Sequence, residues 1–175
     1  MLKDSATRYG WLSRLLHWGM ALLIIQQFFK LGDYVDDGEH WLGNTFGPYH
    51  GSIGLLILGL VVLRLLWVAF QPQRPVTEGR LALFAKLGHW GLYACMLLMP
   101  LTAVALMIGK GWGVRFFGEQ LIARSPEKIE WLATFGSFHA PLAWLFLLLI
   151  LGHVAAALFH HFVLRDDTLR RMTRG

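Results

Sequence analysis

The chain has 175 residues, of which 55% are hydrophobic and 15% charged. A soluble domain carries roughly 25% charged residues, so the composition excludes an ordinary water-soluble globule and points to lipid as the solvent. The net charge of +5 does not indicate nucleic acid, because the bases stand beside apolar segments, where they orient helices. A single cysteine, Cys95, allows no intramolecular disulfide and gives no basis for a thiolate metal site.

Four apolar stretches follow in chain order, at about residues 11–29, 49–70, 81–108 and 135–164. The second contains only Arg64 as a formal charge, the third has Lys86 near its start, and the fourth has no Asp, Glu, Lys or Arg. Each can supply the ~20 residues that a helix needs to cross a bilayer core. The first is too long for a cleaved signal peptide and lacks a small-residue cleavage site at its end. The expected architecture is an all-α, integral membrane four-helix bundle, a single domain over residues 1–175.

Loop charges set the expected orientation. Lys3 and Arg8 precede the first stretch and Arg14 lies at its start, Arg74, Arg80 and Lys86 surround the second connection, and Arg165, Arg170, Arg171 and Arg174 follow the fourth. The first connection has Lys30 against Asp33, Asp36, Asp37 and Glu39. Basic residues favour the cytoplasmic side, which puts both termini there. The loop from Gly109 to Gly136 then faces outward. It mixes Lys110, Arg115, Arg124 and Lys128 with three glutamates and is expected to hold a short interfacial helix.

Ionisable residues at membrane depth are costly and usually functional. Of eight histidines, only His40 is clearly in a loop. His139 and His153 are fourteen residues apart, which brings them within about 40° on one helix face and about 21 Å apart in height. Given alternating helix directions, His50 matches His139 in depth near the outer surface, and His17 matches His153 near the inner one. Each pair can give one haem iron two axial imidazoles, a ligation suited to electron transfer. A lone intramembrane histidine is more often a hydrogen-bonding residue between helices; four that pair by depth favour haem. His89, at about the depth of His17, is an alternative inner ligand, a propionate partner or a quinone residue.

Other residues fit such a core. Gly51 and Gly54 beside His50 would let a flat macrocycle approach, although close helix packing uses glycine equally. Arg64, fourteen residues after His50, falls about 21 Å deeper on roughly the same face, where a guanidinium could pair with propionates. Arg14 could do likewise or snorkel to the interface. Pro100 is expected to kink the third helix. His160, seven residues after His153, lies on the same face and can serve a quinone carbonyl and carry a proton, or simply meet headgroups. His161 reads as interfacial.

Four runs carry a resemblance: LLHWGMALL near the start, HGSIGLLILGLVVLRLLW in the second stretch, LGHWGLYACMLLMPLTA in the third and LGHVAAALFHHFVLRDDTLRRM at the end. Together they resemble the bacterial cytochrome b561 family over nearly the whole chain. The resemblance implies a multi-pass protein of the inner membrane with two haem b groups, ligated by His17, His50, His139 and His153. It makes His89 non-axial and associates His160 with quinone. Within the family the similarity is greatest to members that oxidise superoxide at the outer face and reduce ubiquinone. Lys110 and Arg115 would then steer the anion, although nearby glutamates offset them. The alternative is an electron-transfer subunit fed by a redox protein such as a hydrogenase or a soluble cytochrome. A histidine-based transporter or metal channel is the remaining class, against which the depth pairing argues.

Overall fold

The computed structural model describes residues 1–34, 41–73, 75 and 82–174. His40, the acidic residues Asp36, Asp37 and Glu39, the bases Arg74 and Arg80, and the first residue of the third predicted stretch, Leu81, lie outside them. The elements run α1 (Trp11–Phe28), α2 (Trp41–Phe46), α3 (His50–Ala69), α4 (Ala82–Gly109), β1 (Val114–Phe116), β2 (Glu119–Ile122), α5 (Glu130–Gly136), α6 (His139–Phe159) and α7 (Thr168–Thr173). A π-helical turn, His160–Leu164, extends α6.

The long helices are apolar around most of their circumference. Lipid offers no partner to backbone polar groups, and a helix satisfies them internally. Large side chains such as Leu22, Leu63, Leu98, Leu148 and Leu151 face outward, while Ser52 and Thr102 are buried. Among the described residues, three segments are long and apolar enough to cross a membrane: Gly43–Ala69, Ala82–Gly109 and Glu130–Leu164. The fourth long helix, α1, is diluted by Arg14, His17, Gln26 and Gln27 but packs in the same bundle. α3 lies against α1 and α4, and α4 against α6. Met20 and Ile24 of α1, Ile57 and Val61 of α3, Cys95 and Met96 of α4 and Phe146 of α6 interlock as the central core.

The chain ends meet at one end of this bundle. Arg14 Nη1 donates to Thr173 O at 3.1 Å and Trp18 Nε1 to Met172 O at 3.0 Å, so α7 closes over the start of α1. Asp4 N donates to Gln71 Oε1 at 3.0 Å, and Trp67 Nε1 to Ser13 Oγ at 2.8 Å.

The opposite end adds a small hairpin to the helical bundle. β1 and β2 form an antiparallel hairpin with Phe116 opposite Glu119. Its two-residue turn has positive φ at both positions, 45° at Phe117 and 99° at Gly118. This favours the twist of a tight hairpin, but phenylalanine at the first position hides the usual Asn-Gly or Asp-Gly signal. The short helix expected in this loop is present as α5. It packs so closely that a Cβ on Gly136 would stand 2.4 Å from the Leu106 Cα, and one on Gly109 would stand 2.2 Å from the Ala133 N. The last predicted stretch, from about residue 135 to 164, is therefore divided. α5 ends at Gly136, where Ser137 Oγ donates to Thr134 O at 2.7 Å, and α6 restarts at His139.

Candidate histidine-paired redox site

At the hairpin end, His50 opens α3 and His139 opens α6. Their ring centroids are 6.1 Å apart. The two rings line one cavity with Phe28, Gly51, Gly54, Pro100 and Ala143. A Cβ added to Gly51 or Gly54 would meet nothing within 4 Å, so both glycines leave open space beside the histidines. Two imidazoles on opposite sides of one iron, each nitrogen about 2 Å from the metal, have centroids roughly 6 Å apart. The pair and its apolar, glycine-floored cavity fit a haem.

His139 is fixed from behind. Its Nδ1 lies 2.9 Å from Met99 O and 3.3 Å from Thr102 Oγ1. A carbonyl only accepts, so Nδ1 carries the proton and Nε2 is left with the lone pair that a metal requires. Thr102 is buried and satisfies its own donor on the carbonyls of Leu98 and Met99, both at 2.8 Å.

At the termini end, His17 and His153 have ring centroids 6.2 Å apart. His89 is also present, 5.6 Å from His153. His153 thus stands between two imidazoles, and both pairings have a span near that of bis-imidazole ligation. Arg64 Nη2 lies 3.3 Å from His17 Nδ1, and its Cζ lies 5.6 Å over the Tyr93 ring. The fourteen-residue step from His50 thus brings Arg64 to the second histidine group. Because guanidinium only donates, this contact makes His17 Nδ1 an acceptor. Ligation through Nε2 of His17 requires that contact to rearrange.

The other predicted residues lie apart from the pairs. Arg14 is engaged with the Thr173 carbonyl, not with a histidine. His160 Nδ1 pairs with Asp166 Oδ2 at 2.5 Å, across the π-helical turn and a left-handed Arg165. Slight burial would raise the Asp166 carboxyl, but hydrogen bonds from His160 and Thr168 outweigh it and hold it down at about 2. Lys110 and Arg115 are both exposed, at the end of α4 and on β1. The hairpin bearing Arg115 is tied to the first turn of α3, where Phe117 N donates to Ser52 Oγ at 2.9 Å.

The sequence reading missed Met99, Thr102, Tyr93 and Ser52. Thr102 had a signal, as the one threonine in an apolar stretch. The Met99 group is a backbone carbonyl and carries none.

Histidines paired at two levels of an apolar helical bundle define a membrane b-type cytochrome. The chain belongs to the prokaryotic cytochrome b561 family, whose family model matches residues 8–175. It is 30% identical to cytochrome b561 homolog 2 of Escherichia coli strain K12, over 97% of this chain and 93% of that one. It is 27% identical to a probable superoxide oxidase of Yersinia pestis, over 94% and 95%. Cytochrome b561 homolog 1 of Escherichia coli is 38% identical over half of each chain. The protein is therefore a multi-pass electron-transfer protein of the bacterial inner membrane, of a family that carries haem b.

Proposed function

We propose that the protein holds two haem b groups in four spans, with both termini cytoplasmic, and carries electrons from superoxide at the periplasmic face to ubiquinone at the inner face. The observation that carries this reading is the presence of two histidine groups, with spans near 6 Å, at opposite ends of one apolar bundle. His50 and His139 would hold the outer haem. His153 would hold the inner one with His17, and His89 stands in reach as the alternative.

A haem held between the histidines of each group would supply a one-electron couple. The chain supplies the rest. The apolar cavity walls exclude water, and the Met99 carbonyl presents Nε2 of His139 inward. Arg64 offers a cation for propionates at the inner group. His160, clasped by Asp166, would bond a quinone carbonyl and pass it a proton. Lys110 and Arg115 give the outer end positive charge that attracts a small anion. Two superoxide ions would each lose one electron to become dioxygen, and ubiquinone would take up two electrons and two protons. The relative described as a probable superoxide oxidase supports the donor.

The test is haem quantitation on the purified protein, with a reduced-minus-oxidised spectrum, followed by stopped-flow mixing with superoxide and a soluble ubiquinone. Two low-spin b haems per chain and superoxide-dependent quinol formation are expected. Two haems without any reaction with superoxide would turn the reading to an electron-transfer subunit fed by a protein. No haem in folded protein would end it.

A further inference from the structure

The two histidine groups differ in what touches their far side. Behind the outer pair are oxygens: Met99 O at 2.9 Å and Thr102 Oγ1 at 3.3 Å from His139 Nδ1. Accepting that N–H draws its proton outward and makes the ring a more electron-rich ligand, which favours oxidised iron. Beside the inner group is a cation. Arg64 Nη2 stands 3.3 Å from His17 Nδ1, and a guanidinium does not give up its proton. Arg64 is half-buried, with the Tyr93 ring on one side. At such a place Coulomb interactions are strong, and a fixed positive charge favours the state holding one more electron. The outer cavity has a cation of its own, Lys30. Lys30 is exposed, so water and salt screen it far more.

We propose that this asymmetry orders the two centres. The Met99 carbonyl behind His139 lowers the electron affinity of the outer centre, Arg64 raises that of the inner one, and electrons therefore run downhill inward. The inference rests on the two-haem reading above. Passing one electron inward would oxidise the outer centre by one unit and reduce the inner by one, and no bond or proton need move. The Met99 carbonyl acts here through His139 and Arg64 through the charge of its guanidinium, as positioning groups rather than catalytic ones.

The test is potentiometric titration of the purified holoprotein, followed optically, which should give two one-electron waves. His50→Ala removes the outer centre and should leave a wave at the higher wild-type potential. His153→Ala should leave the lower one. In the two-haem protein, Arg64→Gln should shift the upper wave downward and leave the lower in place, and Arg64→Lys should restore most of the shift. An unmoved upper wave in Arg64→Gln, or a lower-potential wave surviving in His50→Ala, would overturn the proposal. If Arg64→Gln does not accumulate with haem, the two histidine variants still decide the order. A wild-type protein with one haem would refute the two-haem reading itself, whereas two haems in the reversed order would refute only the ordering.

Discussion

Gly54→Leu separates a glycine kept for a cofactor from one kept for helix packing. Gly54 lies in α3 four residues after His50, hence one turn deeper on nearly the same face. It lines the cavity with His50 and His139, and an added Cβ meets nothing within 4 Å. The empty fold should therefore accept leucine without repacking. Replacing a mid-helix glycine should even add about 0.5–1 kcal/mol of helix stability. The leucine branches would occupy the space into which a haem edge must fit, where overpacking costs about 1–3 kcal/mol or more. A loss of that size is a factor of roughly 5–150 in affinity. The assay is pyridine haemochrome quantitation per chain beside thermal unfolding in detergent. The expected result is about one haem instead of two, with unfolding temperature unchanged or raised once haem content is matched. Gly136→Leu is the control, since its Cβ would meet the Leu106 backbone at 2.4 Å; it should lower the unfolding temperature. Two retained haems in Gly54→Leu would refute the assignment of Gly54 to the cofactor. Loss of folded protein would refute the open-space argument.

Other perturbations probe the supporting contacts. Ser52→Ala removes the acceptor of the Phe117 N–H, at a cost of about 1 kcal/mol; hydrogen exchange across residues 111–124 should speed up while haem content holds. Thr102→Val removes a buried hydroxyl beside His139; both haems should remain, and the electron paramagnetic resonance signal of one low-spin centre should shift. Asp166→Asn tests the clasp on His160. The Asp166 carboxyl lies at about 2 against an ordinary 3.8, so its stabilising effect is complete above about pH 4 and fades as pH falls toward 2. The gap in unfolding temperature between wild type and Asp166→Asn should accordingly be flat from pH 7 to about 5 and close below about 4; a gap that closes near neutral pH would assign the effect to another group.

Much of this protein is legible in its sequence because lipid imposes strict rules. Apolar runs of sufficient length must become helices, so the long helices fall near their predicted positions. A histidine in such a run is expensive, and a fourteen-residue step returns to nearly the same helix face. That periodicity was enough to pair His50 with His139, to set His17 beside His153 and to carry Arg64 from the level of the first pair to the second. Family membership follows from the same residues.

What periodicity along one helix cannot supply is the position of its neighbours around the bundle. Only the tertiary structure brings His89 within 5.6 Å of His153, making the inner group three imidazoles rather than two. It turns Arg14 to the α7 carbonyl of Thr173, a partner more than 150 positions away in the chain. The hairpin depends on a Phe-Gly turn with two positive φ angles, a conformation held by the Ser52 tether and by pairing with a second strand rather than by local preference. The tautomer of His139 is decided by the Met99 backbone carbonyl, a group that every residue carries and that acquires a role only when the packing of α4 against α6 aims it at an imidazole.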